Sequence, residues 1–389
     1  MRGFIRPQTV IAIGAGAIFF IGGILLFVYT NEPVEVALED TNFVPVEVVD
    51  NPFEEPNPLP ETKITEEPQA PEEEPVQEKQ EQQTSIEEPL PVTPEEPKEQ
   101  PTAQVFVPEN LEAADKELQE ALVNILCLAD AGSPVGSISG SGVIIDPSGT
   151  ILTNAHIAQY LLLKDYPTEN SIECTIRTGS PATPAYIADL AYISPQWIYE
   201  NADELTKDNP TGTGKDDFAL LTITGPAPFQ KLPESFPFIP LSFNEASVGE
   251  SVISAGYPAS FLEPEAIQRN LVQIRAAGTI QDIYTFNKTT VDVLSLGGVP
   301  LAQQGASGGA VVDGTGTLRG IVVTSSLETN TQERDLRAIS TGHIARSFME
   351  QHSVPFIDYA LGDITSEYEE FNKNVAPTLT DLLIAILER

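Results

Sequence analysis

The chain has 389 residues, enough for two domains or for one large domain with appendages, and its hydrophobic fraction of 41% permits a sizeable core. Its formal charge is −37, from 20 basic and 57 acidic residues, which argues against nucleic acid as a partner because phosphate binding needs a basic face. Three histidines and two cysteines without a Cys-x-x-Cys pair are too few and too scattered to suggest a zinc site.

Arg2 and Arg6 precede an uncharged run, Val10 to Tyr29, whose twenty residues suffice for a helix across about 30 Å of hydrocarbon. The run is longer than the core of a cleaved signal peptide and no Ala-x-Ala site follows it, so an uncleaved anchor is expected. Glu32, Glu35 and Glu39 follow it, and the positive-inside rule then puts residues 1–9 in the cytoplasm and everything after Thr30 outside. Between Asn31 and Asn110 there are 22 acidic residues against 3 lysines, a net of −19, together with 15 of the 33 prolines. About half of the excess charge therefore belongs to a segment too polar to fold, and residues 30–109 are expected to be a disordered, extended spacer.

Asn110 has the chemistry of a helix N-cap, with Leu111, Ala114, Leu118 and Leu122 at helical spacing behind it. From Val123 to Leu128 onward the pattern turns to β. Val143–Ile145, the turn Asp146-Pro-Ser-Gly149 and Ile151–Thr153 form a hairpin. Further strands are expected at 172–177, 185–193, 218–223, 251–255, 272–280, 289–296, 309–312 and 320–324, with Gly, Pro, Asn and Asp between them. Many short strands with turn signals point to two consecutive barrels over residues 122–344. Thr341 to His352 has a helical pattern, as does the apolar stretch Thr378 to Leu387, which is too short to span a bilayer and is expected to pack on the domain.

One short segment carries chemistry. Gln303 to Val312 sets Ser307 among glycines, where a substrate carbonyl can come close to the backbone and the amides of Gly305 and Ser307 can converge on a developing oxyanion. A serine hydroxyl needs a base. His156 closes the hairpin segment Ile151-Leu-Thr-Asn-Ala-His156, where a strand ends and a turn is expected, whereas His343 and His352 fall in the C-terminal helical pattern and look like packing residues. An acid must orient the imidazole. Asp217 leads into the strand Phe218–Ile223, and strand alternation allows only one of Asp216 and Asp217 to point inward.

The segments Ser141–His156, Asp217-Phe-Ala-Leu-Leu221 and Gly305-Ala-Ser-Gly-Gly309 together resemble the three catalytic blocks of trypsin-like (chymotrypsin-fold) serine peptidases, in the order His, Asp, Ser and closest to the HtrA/DegP-like branch. The likeness spans about residues 122–348. It implies a mostly β, two-barrel protease domain over residues 110–355, following the transmembrane helix at 10–29, with a helical tail at 356–389. It further implies His156 as base, Asp217 as its partner, Ser307 as nucleophile and the Gly305 and Ser307 amides as oxyanion hole, with no metal or cofactor. Ala306 stands where zymogens carry an aspartate, so activation by N-terminal cleavage is not expected. The 41 residues after Phe348 are too few for the PDZ domain that often follows in this branch. Leu301, six before the serine, implies together with Val323 and Thr324 a pocket for a small or medium apolar side chain, and the strand 321–325 would pair with extended substrate. Cys127 and Cys174 lie on strands of the first barrel. Outside the membrane they are expected to form a disulfide, the other reading being two buried thiols. The function implied is a membrane-anchored serine endopeptidase acting on extracytoplasmic proteins or peptides; the alternative is a silent or latent protease-like scaffold at the cell envelope. Oligomeric state is not legible.

Overall fold

A computed structural model describes residues 111–389 apart from 208–209, 211, 287–288 and 326–333. The anchor expected at Val10–Tyr29, the acidic spacer and the Asn110 cap lie outside the described residues. Among the described residues no helix is long and apolar enough to cross a membrane.

The chain begins with α1 (Glu112–Ala121), whose N-cap position is Leu111, without a side-chain cap. Ala114, Leu118 and Ala121 are its buried stripe. β1 (Leu122–Ala129) follows without a loop, and residues 122–127 are all buried. That explains the continuous apolar run: both faces of this strand are covered. Its one polar residue, Asn124, is fully buried but satisfied, donating to Ser139 Oγ and the Gly140 carbonyl and accepting from Arg177 Nε.

β2 (Ile138–Ile144), β3 (Thr150–Thr153), α2 (Ala155–Leu162), β4 (Ile172–Thr178), β5 (Thr183–Ile193), α3 (Pro195–Asn201) and β6 (Ala219–Pro226) complete the first half. Its six strands close into a barrel in the order β1-β2-β3-β6-β5-β4. Cys127 and Cys174 face each other across β1 and β4, with Cα atoms 3.9 Å apart, and are joined in a disulfide.

The second half contains β7 (Ser251–Gly256), α4 (Pro264–Asn270), β8 (Ile274–Thr279), β9 (Asp282–Tyr284), β10 (Val293–Ser295), β11 (Ala310–Asp313), β12 (Leu318–Ser325) and β13 (Leu336–Ser340). These strands form one antiparallel sheet in the order β8-β7-β11-β12-β13-β10-β9. The expected second barrel is thus half-open: no ladder joins β8 to β9, which are separated by only two residues and stand at opposite edges.

Four helices end the chain: α5 (Thr341–His352), α6 (Phe356–Ala360), α7 (Ile364–Asn374) and α8 (Ala376–Leu387). The tail packs on the first half. Asn372 Nδ2 donates to the Leu190 carbonyl (2.7 Å) and Tyr359 Oη to that of Ala191 (3.0 Å). Around Tyr192 gather the rings of Phe218, Phe348, Tyr359 and Phe371, at 4.8–5.9 Å. α8 lies against α2 and the 3-10 turn at 202–206, with Leu379 and Leu383 fully buried. Each buried leucine contributes about 1.5–3 kcal/mol.

Candidate active site

β3 delivers His156. The strand ends at Thr153, Asn154 is extended, and α2 starts at once, so His156 sits in the first turn of a helix and not in the turn expected from sequence. The misreading has a cause. Six of the eight residues of α2 are buried, so its apolar pattern shows no exposed stripe by which to recognise a helix.

The first turn of a helix has amides without intrahelical acceptors, and Asn154 caps none of them. The Asp217 carboxylate takes one. Its Oδ1 accepts from the His156 backbone N–H at 2.9 Å while Oδ2 accepts from His156 Nδ1–H at 2.7 Å. Asn154 Nδ2 donates to the Asp217 carbonyl at 2.8 Å, closing the pair from below. A carboxylate only accepts, so Nδ1 carries the proton and Nε2 of the neutral ring is left as a base. The carboxylate is 6% exposed and the imidazole 29%, a buried anchor beside a part-exposed ring.

Asp216 departs from the alternation argument. Both Asp216 and Asp217 are buried, because β6 begins only at Ala219 and Asp216 is still in a turn with φ of 60°. Its carboxylate points away from His156, towards α5, where Ser347 Oγ donates at 2.6 Å and His343 Nε2 lies 3.5 Å away. Burial pushes the Asp216 carboxyl up, but His343 beside it and the Ser347 hydroxyl outweigh it and hold the group below its ordinary range. His343 is buried between Asp216 and Asp292, and His352 stacks on Phe348, so neither enters the site.

The serine loop comes from the second half, and its backbone can be accounted for bond by bond. The Gln304 carbonyl accepts from Ala259 N–H (2.8 Å) and the Ala306 carbonyl from Gly309 N–H (2.8 Å). Ser141, on β2, donates its hydroxyl to the Gly305 carbonyl and its backbone N–H to the Ser307 carbonyl, both at 2.7 Å. Gln304 N–H donates to Ser260 Oγ, Ala306 N–H to the Gln303 carbonyl and Gly308 N–H to that of Val322. From Gln304 to Gly309, the two amides without an acceptor among the described residues are those of Gly305 and Ser307. In a trans peptide the N–H points opposite to the C=O. Tying the Gln304 and Ala306 carbonyls away therefore turns those two amides outward.

Two glycines make this possible. Gly305 has φ of 91°, as the third residue of a type II turn requires. Gly308 has φ of 81°, and a Cβ there would meet the Ser141 carbonyl at 2.0 Å. Ser307 is part-exposed, and at rest its hydroxyl makes no hydrogen bond to His156 among the described residues. Such bonds are often long in the free enzyme and tighten on substrate.

The pocket residues named from sequence lie as follows. Leu301 is fully buried in the apolar cluster of the second half, with Ala302, Ala306 and Val322. Its Cδ1 is 3.2 Å from where a Cβ on Gly256 would stand. Val323 is 4% exposed and packs on Gly214, just ahead of Asp217. Thr324 is paired with Arg337 of β13, and beyond Val322 the opposite edge of β12 has no strand neighbour among the described residues. Sequence reasoning gave no role to Ser141, Ala259 or Ser260. Ser141 opened the histidine block, but its partner Gly305 is 164 residues away and no local signal connects them.

Residues 140–321, which include His156, Asp217 and Ser307, match the family model of the trypsin-like peptidase domain. Among solved structures the chain is similar to the serine endoprotease from Yersinia pestis, with 22% identity over 63% of this chain and 67% of that one, at a TM-score of 0.40. No curated protein matches the chain.

Proposed function

We propose, from a chain whose residues 140–321 are a trypsin-like peptidase domain, that it is a serine endopeptidase of the HtrA/DegP-like kind working through an acyl-enzyme. Ser307 Oγ attacks the scissile carbonyl while His156 Nε2 takes its proton, and the Asp217 carboxylate stabilises the imidazolium that forms. The carbonyl oxygen becomes an anion facing the Gly305 and Ser307 amides. His156 returns the proton to the leaving amine, and water then repeats the sequence on the acyl-enzyme. The observation that carries this reading is the pair of amides, Gly305 and Ser307, without acceptors among the described residues while every neighbouring peptide is tied down. Preformed donors of this kind are commonly worth about 10²–10³-fold each in rate.

Beyond Val322, the edge of β12 that has no strand neighbour among the described residues offers main-chain pairing to an extended peptide. The apolar character of Leu301 and Val323, both buried in the resting chain, supports a small or medium apolar residue before the cut; a peptide panel showing preference for Arg would refute that. Val10–Tyr29 anchors the chain with its N-terminus in the cytoplasm, and residues 30–109 hold the protease away from the membrane. The Cys127–Cys174 disulfide supports an extracytoplasmic location.

The test is to incubate the purified full chain with a fluorophosphonate probe and with an unfolded protein, beside Ser307→Ala. Labelling and cleavage present in the wild type and lost in the variant are expected. A wild type that neither labels nor cleaves sinks the proposal and favours a silent scaffold.

A further inference from the structure

We propose that Ser141 is a positioning residue for this reaction: its hydroxyl, brought in by the first barrel, holds the Gly305 peptide so that the oxyanion-binding amides stay outward. The inference rests on the acyl-transfer reading above.

The oxyanion turn is built on a glycine, and a glycine turn is easily reversed. Rotating the Gln304–Gly305 peptide exchanges a type II for a type I turn, carries the Gly305 N–H away from the substrate and brings the Gln304 carbonyl into its place. Something outside the turn has to oppose that rotation. Ala259 N–H opposes it directly by holding the Gln304 carbonyl at 2.8 Å, and Ser141 Oγ–H holds the Gly305 carbonyl of the next peptide at 2.7 Å, fixing the frame on the other side of the same glycine against which the first peptide is set.

Ser141 is suited to be a fixed point. It is fully buried, and its hydroxyl is used in both senses, donating to Gly305 and accepting from Tyr257 N–H at 2.8 Å. Its carbonyl accepts from Thr153 Oγ1 at 2.7 Å, three residues before His156, and its own N–H holds the Ser307 carbonyl. One residue of β2 thus touches the strand that aims the base, the carbonyl of the nucleophile and the oxyanion turn. Tyr257 starts the segment that also supplies Ala259, so the hydroxyl ties together both contacts that hold the glycine. With an alanine at this position the Gly305 carbonyl and the Tyr257 N–H lose this partner in a buried place, and the Gly305–Ala306 peptide loses its restraint from the first barrel.

The experiment compares the full chain with Ser141→Ala and Ser141→Cys, the latter of similar shape with a weaker donor. Steady-state kinetics on a peptide substrate are measured well below each variant's Tm, with inhibition by a peptide boronate and the hydrogen exchange of the Gly305 amide. For Ser141→Ala, kcat falls by about 10–100-fold, less than or comparable to removal of one oxyanion donor, while KM moves less than about threefold. Boronate affinity falls by the same factor as kcat, and Gly305 exchange changes. Ser141→Cys lies between. A merely structural role would lower Tm and leave kcat in place for the folded fraction. A folded Ser141→Ala with kcat within about twofold of wild type overturns the proposal. Should the alanine variant not fold, Ser141→Cys with unchanged kcat does the same. Absence of Ser307-dependent hydrolysis in the wild type is failure of the protease reading instead; Ser141 is then judged on Gly305 exchange alone, and identical exchange in wild type and Ser141→Ala refutes it.

Discussion

Asp217→Asn probes the double grip on His156. The carboxylate presents two acceptors to two donors of one residue, the His156 backbone N–H at 2.9 Å and Nδ1–H at 2.7 Å. An asparagine has one acceptor and one NH2 group, so it can serve only one of them. If its oxygen stays on the backbone N–H, the NH2 meets Nδ1 and moves the ring proton to Nε2, the atom that has to accept from Ser307. If it turns over, donor faces donor in a place where residue 217 is 6% exposed, at about 1–3 kcal/mol for the unmet group. The first arrangement costs less, so the variant folds with the wrong tautomer and without a charge opposite the imidazolium. In a Ser-His-Asp site the equivalent change lowers kcat by about 10⁴-fold, which corresponds to roughly 5.5 kcal/mol. The assay is kcat/KM at neutral pH beside thermal melts, with fluorophosphonate labelling falling in parallel. Asp216→Asn is the companion, since that carboxylate faces Ser347 and His343, and it costs less than about tenfold because it touches no reacting group. A folded Asp217→Asn losing less than about tenfold, or less than Asp216→Asn, would refute the assignment.

Removing the disulfide with Cys127→Ala and Cys174→Ala releases a loop of 47 residues in the unfolded chain and costs up to about 4 kcal/mol; the check is the urea midpoint, which should fall. An unchanged midpoint would mean that the β1–β4 ladder alone holds these strands. Asp292 gives a pH dependence. Burial pushes its carboxyl up, but hydrogen bonds from Thr290, Arg346 and the Phe286 amide prevail and hold it well below the ordinary carboxylate range. Its contribution to stability is complete above the unfolded pKa of about 4 and disappears as pH falls through the lowered folded value. Asp292→Asn therefore flattens the acid limb of a Tm-against-pH curve, and an equally steep limb would contradict this. Leu383→Ala empties a fully buried site between the tail and the first barrel and costs about 2–5 kcal/mol, seen as a Tm lower by several degrees.

What could be read from the sequence was what is local. Most strands of the first barrel are apolar runs bounded by turn residues and are expected from sequence to within three positions, but β2, Ile138-Ser-Gly-Ser-Gly-Val-Ile144, is legible only from Val143 because its first half is mostly Ser and Gly. β9 has three residues and β13, Leu336-Arg-Ala-Ile-Ser340, includes an arginine; both depend on ladder partners more than on their own pattern, and neither was anticipated. α7 was missed because its eleven residues bury only Ile364 and Phe371. In the site, the His156, Asp217 and Ser307 blocks are each contiguous and therefore visible. The alternation rule failed at Asp216 because it presumes a strand where the chain is still turning. The contacts that shape the serine loop join Ser141 to Gly305 and Ala259 to Gln304, across distances in sequence at which no periodicity operates.

The packing of α8 on α2 has a consequence in time. His156 stands on a helix whose cover includes residues 376–387, made about 220 residues later. At roughly 5–20 residues per second of synthesis, that interval is on the order of 10–40 s. For its duration the apolar side of α2 has no lid of its own, and the nascent domain carries a sticky helix beside its unfinished cleft.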